Sequence, residues 1–509
     1  MAGITGWWAE TFIEPEPAVI TITGGVPVVE ITQDVFIEPA PAQLTLTGSR
    51  PSLEQTVRPD PATLTLTGGV PVVSVGHTVT PTPATLTLTG GTPTVTLTDN
   101  KLITPTAAAL TLTGGIPVVS VLAPISIDQV GTPGSENTGN LTCSINPTSG
   151  ADVLVFAWCI DAASSCYQAT YSGNRMRFLG RAKLNGGSLS VFCIENVSSG
   201  SATVTVDKSG SGWAQAAAVT YTGAVDFRQA KIALGSGTSV SQSASPGLSS
   251  RSIQSFCRGG NNGTFGSLSG GASRVNETSG FVAGTVSDTS TSATFSGTLS
   301  TSANWGSVVI DALPQAITGP KINYTSGVWS EANGGTQTCT VKAALNDYIV
   351  VDMVQAASGD PSSVTCAGTA MTLIDTQNWS HPSTGSGFLK RYRSSQLASA
   401  GDKTVSITAT GSQWWHAAGV SISNVTSFGT TTKTSGTSST PSQSVSCSAG
   451  QLILQSFATA AAATDINATN YHDSPGGSLV FLYMNAALES ATISATGSTN
   501  WGAMATVIS

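Results

Sequence analysis

The sequence predicts an all-β protein, in which a fibrous N-terminal β-repeat stalk precedes two homologous antiparallel β-sandwich domains. Three observations predict it. A phrase of alternating Leu and Thr closed by Gly-Gly recurs five times in the first quarter of the chain. The remainder repeats itself once, at offsets between 196 and 201 residues. Gly, Ser and Thr are abundant while only 9% of residues are charged, against about a quarter in an average soluble domain, and few stretches have a helical period.

The repeats occupy residues 12–121. The cleanest copy runs from Pro81 to Leu97, and its first loop glycine, Gly90, has counterparts at Gly24, Gly48, Gly68 and Gly114, spaced 24, 20, 22 and 24 residues apart. A fixed period of this size is the mark of a stacked array. The Pro-x-Pro-Ala start favours an extended entry. Leu-Thr-Leu-Thr then alternates as a half-buried strand does. Gly-Gly reads as a turn, and Val-Val-x-Val as a second strand after an edge proline. Each copy is thus expected to be a two-stranded ribbon. A lone ribbon is marginal in water, so the ribbons are expected to pack on one another or on other chains, with a homotrimer favoured.

Before the stalk, residues 1–11 form an expected attachment segment, where the adjacent Trp7 and Trp8 are candidates for anchoring to a larger assembly. This end has no basic region followed by an apolar one, so it does not read as a secretory signal. No apolar run is long enough for a membrane span. A net charge of −8 and a pI near 5 argue against nucleic acid as a partner. The short basic clusters Arg175-Met-Arg177 and Lys390-Arg-Tyr-Arg393 read as solvated strand faces.

The duplication divides the rest into residues 122–315 and 316–509. Ile253-Gln-Ser-Phe256 returns as Leu454-Gln-Ser-Phe457, and Asn304-Trp-Gly306 as Asn500-Trp-Gly502. Within each unit a weaker repeat places a Thr/Ser-rich strand before a tryptophan and a last apolar strand, at Trp213, Trp305, Trp414 and Trp501. Short strands between Gly/Ser/Asn turns suggest a sandwich, and these four tryptophans are expected in its core.

The Pro-x-Pro-Ala-x-Leu-Thr-Leu-Thr-Gly-Gly phrase resembles the stalk repeats of bacteriophage virion fibre and spike proteins. The turn Tyr171-Ser-Gly-Asn174, the strand Leu189-Ser-Val-Phe192 and the Ala-Thr-Val-Thr…Trp-Ala close resemble a jelly-roll-like sandwich module of phage and bacterial surface proteins. The second unit has Cys366-Ala-Gly-Thr369 in place of that turn. The resemblance implies a virion structural protein assembled in the host cytoplasm and exposed on the particle, and it brings no catalytic signature.

Chemistry is sparse in the residues themselves. The histidines His77, His381, His416 and His472 have no metal-ligand spacing, so no metal and no cofactor is expected. Asp347, Asp352, Asp375 and Asp402 are scattered and mostly unshared with the first unit, so the chain is expected not to be an enzyme. Eight cysteines divide five and three between the units, which suits buried free thiols, although Cys159 and Cys166 could bridge on oxidation. Trp379, Tyr392 and Trp415, beside polar residues, are the candidates for contact with a host glycan or receptor. The expected function is therefore a fibre or spike held by its N-terminus, with a capsid decoration protein or a bacterial surface adhesin as alternatives. Its expected partners are copies of itself, other virion proteins and a host surface glycan or protein.

Overall fold

In this computed structural model the described residues are most of 124–509, together with the backbone of ten short strands before them; side chains before residue 124 and in much of 461–499 lie outside. Trp7, Trp8 and His77 fall outside the described residues. The chain forms two compact units, residues 1–125 with 247–250, and the remainder. Among the described residues it is all-β.

In the first unit the ribbon expectation is corrected. The two strands of one repeat do not pair with each other; they enter two different five-stranded parallel sheets. Gln43–Gly48 pairs in parallel with Thr63–Gly68, and that strand with Thr85–Thr89, so that Leu44, Leu64 and Leu86 fall in line, as do Thr45, Thr65 and Thr87. Parallel pairing sets equivalent positions of successive repeats opposite one another, which a hairpin within one repeat cannot do. The backbone ladders between repeats therefore form within one chain, leaving an edge strand at each end of both sheets.

The second unit holds four modules in sequence, residues 126–222, 226–313, 321–423 and 428–508, and all four share one strand order. Each has a core sheet of five antiparallel strands. In the first it reads Ser126–Val130, Ala214–Thr222, Ala151–Cys159, Gly187–Val197, Arg177–Leu184. In the third it reads Lys321–Thr325, Gly401–Ser423, Tyr348–Gln355, Gly387–Arg393, Thr372–Trp379. A smaller outer sheet covers one face, and the chain alternates between the two as in a jelly roll. In the second and third modules one long bent strand serves both sheets, Ala293–Leu313 and Gly401–Ser423. The turn Ser172-Gly173 and its counterpart Ala367-Gly368 both have positive φ at each residue. Both make two-residue hairpins, Tyr171 opposite Asn174 and Cys366 opposite Thr369, because this turn suits the twist of the strands.

The core sheets are buried on both faces. In Tyr348–Gln355, Ile349, Val351 and Met353 pack inside the third module against Val405, Ile407 and Trp415. Val350 and Val354, on the other face, pack with Leu452, Leu454 and Met504 of the fourth module. The first and second modules meet likewise, with Trp158 donating its Nε1 hydrogen to Ser255 at 2.9 Å and Tyr221 its hydroxyl to Asp288 at 2.8 Å. Glycines admit the neighbour's side chains: a Cβ on Gly284 would lie 2.2 Å from the Trp158 ring, and one on Gly502 2.9 Å from Trp379.

The basic clusters are not solvated faces, which corrects that expectation. Arg391 is fully buried and grips Asp352 with two hydrogen bonds of 2.8 and 2.7 Å. It also donates to the Leu454 carbonyl, the Thr506 hydroxyl and the Ser456 hydroxyl of the fourth module. Arg177 pairs with Asp226 at 2.8 Å, and Asp226 also accepts from Lys321 at 2.5 Å, which ties the first three modules together. Burial works against an ionised Asp226, but the charges of Arg177 and Lys321 hold its carboxyl below the usual range.

Asp152, next to this node, is the opposite case. It accepts from the Asn196 amide at 2.8 Å, while its Oδ2 has no hydrogen-bond partner. Burial pushes its carboxyl up to about 6, with Glu195 adding to the shift.

Two expectations follow. Arg391→Ala leaves Asp352 buried and unpaired and should cost about 3–5 kcal/mol in denaturant unfolding, whereas replacing both residues by Met and Leu should cost far less. A carboxyl raised in the folded state takes up an extra proton there, so its contribution to stability falls as pH rises from about 4 to about 6 and stays unfavourable above. Asp152→Asn should therefore stabilise by about 1–2 kcal/mol at pH 7–8, with the gain vanishing near pH 4 in melting curves taken across that range.

Candidate functional site

The two-residue hairpin at Ser172-Gly173 ends the outer sheet of the first module and carries Arg175 on its return strand. In the third module the strand Ala332–Ala343 forms an edge of the corresponding outer sheet. Where these meet, Arg175 donates to the Thr325 carbonyl at 2.6 Å and the Thr340 carbonyl at 3.3 Å. Lys342 closes the seam from the other side, donating to the Arg175 carbonyl at 3.4 Å with its ammonium 5.0 Å from the centre of the Tyr324 ring.

Along this seam runs a groove of about 630 Å³. The first module lines it with Gln168, Thr170, Gly173 and Arg175, and the third with Ser326, Gln337, Thr338, Cys339, Thr340 and Asp402. Its chemistry is that of hydrogen bonding: two side-chain amides, several hydroxyls, one guanidinium and one carboxylate. Burial pulls the Arg175 guanidinium down from its ordinary value, with the Asp402 and Asp207 carboxylates opposing that shift. Burial also pushes the Cys339 thiol up to about 12, so it is present as the neutral thiol and not as a nucleophilic thiolate. Among the described residues no three or more of His, Cys, Asp and Glu cluster as metal ligands.

The aromatic candidates lie elsewhere. Trp415 is 2% exposed and donates its Nε1 hydrogen to the Gly334 carbonyl at 3.2 Å. Tyr392 is buried in the same core, and Trp379 is buried against Gly502 of the fourth module. None of the three offers an open ring face, so expected glycan contact at these residues is corrected. Trp305 and Trp501 are buried as expected of core residues, Trp213 is half-buried, and Trp414 is 58% exposed, contrary to expectation. The reason is a frame shift of one residue. The buried tryptophan pairs with the end of the central core strand, as Trp305 does with Arg258, Trp415 with Gln355 and Trp501 with Thr459. A shift of one residue along a strand turns the side chain to the other face, so Trp414 points out where Trp415 points in.

Asp347 and Asp352 are structural. Asp347 accepts from Asn323 at 3.0 Å and from the Ala344 amide at 2.8 Å, and Asp352 holds Arg391. Asp402 alone of the four scattered carboxylates lines the groove. Gln168, Arg175 and Gln337 were missed as site residues because they belong to separate strands of two modules, and no local sequence signal brings them together.

No family model matches the sequence, and no curated protein is found as a relative. Among the solved structures that show weak likeness are two from viruses. One is the enzymatically active domain of tailspike protein 4 of bacteriophage CBA120, at 10% identity and a TM-score of 0.13, over 42% of this chain and 46% of that one. The other is the infectious bursal virus-derived T=1 particle, at 10% identity and a TM-score of 0.13, over 76% of this chain and 80% of that one. The expectation that the chain is not an enzyme is withdrawn on the first finding, a domain described as enzymatically active. Both neighbours come from virus particles, a tailspike and a capsid-derived assembly, and at these scores neither carries an argument for a particular reaction.

Proposed function

We propose that this chain is a structural protein of a bacteriophage particle, a spike or short fibre held by its N-terminal segment, whose four modules meet the host surface and bind glycan in the groove between the first and third. The observation that carries the binding role is the groove itself, built jointly by two modules and lined by amides, hydroxyls, Arg175 and Asp402. Such groups match the paired hydroxyls of a sugar chain as donors and acceptors. The array of parallel repeats and the low charge of the chain suit a particle component. Self-association, with a trimer favoured, belongs to the same proposal, although ribbon burial no longer argues for it.

Locating the chain by cryo-electron microscopy of purified particles tests the placement. Density at the tail with the modules outermost is expected; density spread over the head would transfer the protein to capsid decoration, and its absence from particles would favour an adhesin. For the groove, Gln168→Ala and Gln337→Ala, which remove lining amides without cutting the Arg175 hydrogen bonds across the seam, should each weaken binding to purified host envelope polysaccharide about 10-fold or more, with an unchanged melting temperature. Full binding by both folded variants would remove the groove from the proposal.

A further inference from the structure

Two thiols meet inside the first module. Cys159 ends a core-sheet strand, and Cys166 lies on Ser165–Tyr171 of the outer sheet. Their sulfurs are 3.4 Å apart, and both side chains are buried. Two buried cations stand over the pair. Arg181 donates to the Cys166 carbonyl at 3.3 Å, as does the Ser190 hydroxyl at 2.6 Å. Lys208 is held by the carbonyls of Asn137, Gly210 and Gly212 at 3.0, 2.9 and 2.8 Å. Positive charge beside a thiol favours the thiolate, the form that attacks a disulfide. The hydrogen bond between the two separates their roles: it holds the Cys159 thiol down and the Cys166 thiol up.

The other cysteines of this half differ. Burial alone pushes Cys143 up to about 12, burial pushes Cys193 to about 12 as well, and Cys257 is raised by burial further still, so all three are inert as nucleophiles.

We propose that Cys159 and Cys166 form a site of oxidative modification, closing to a disulfide that joins the outer sheet of the first module to its core sheet once the protein leaves a reducing compartment. The oxidant is a small disulfide such as oxidised glutathione. The Cys159 thiolate attacks one of its sulfurs and expels a glutathione thiolate. Cys166 then loses its proton, attacks the Cys159 sulfur of the mixed disulfide and expels the second. Two protein thiols are oxidised, and one glutathione disulfide is reduced to two thiols. Since both sulfurs are buried, the reaction waits on local opening at this end of the module and is slow in the native state. The inference does not rest on the virion reading.

The test is to incubate the full chain with oxidised or with reduced glutathione below its melting temperature and count free thiols after denaturation. Eight are expected in the reduced sample and six in the oxidised one, 8 − 2. Peptide mapping should show Cys159 joined to Cys166 at a mass lower by two hydrogens. The melting temperature should rise by about 2–5 °C on oxidation, a rise that Cys166→Ser abolishes. Eight thiols after prolonged oxidation, or a bridge to any other cysteine, would overturn the proposal; the wild-type thiol count decides the matter even where the serine variant folds poorly.

Discussion

Back-to-back packing of sheets buried on both faces is the constraint from which the four-module unit follows. An antiparallel sheet ordinarily keeps one face in water. Here the central strands lose that outlet, and Ala151–Cys159 and Leu452–Thr459 are buried at every position. Any polar group in such a strand must then find its partner inside the protein. The serines of the recurrent Gln-Ser-Phe phrase follow this rule, while the Gln254 and Gln455 side-chain carbonyls and Asp152 Oδ2 stay unpaired. Ser255 accepts from Trp158 of the first module, and Ser456 accepts from Arg391 of the third, so one repeated serine receives a different donor in each pair of modules. Gln254 and Gln455 turn the other way and donate to Ser307 and Gln443 within their own modules.

Much of this was legible in the sequence, and the part that was not has physical causes. Alternation in Leu-Thr-Leu-Thr identified strands correctly, but strand period says nothing about which strand is the neighbour, and the repeats pair in parallel with the next copy. The duplicated Asn-Trp-Gly phrase was visible; that its glycine exists to admit Leu184 in one case and Trp379 in the other was not, because the guest belongs to another module. Arg177 and Arg391 looked like surface charge since their counter-ions, Asp226 and Asp352, stand 49 and 39 residues away. The adjacent Trp414 and Trp415 show the limit of aligning by residue type, for a single-residue offset exchanged core and surface.

The groove inherits its geometry from module packing more than from any strand of its own. Arg175 reaches it from the first module, but its orientation is set by carbonyls of the third. A site assembled in this manner is sensitive to whatever moves the modules relative to one another, including the charges at Asp226 and Asp152 deeper in the same unit. The groove and the fold are thus coupled through the seam, and a variant that loosens the modules would lose its groove without any change to a lining residue.

The parallel ladder of the first unit sets an exchange rate between chain length and reach. Neighbouring strands lie about 4.8 Å apart, so each repeat adds only that much to the array although it consumes 20–24 residues. Five strands span about 20 Å across each sheet. Gain or loss of one repeat would add or remove a single strand from each sheet while leaving the register of all the others intact, so that the size of the array changes in small, even steps.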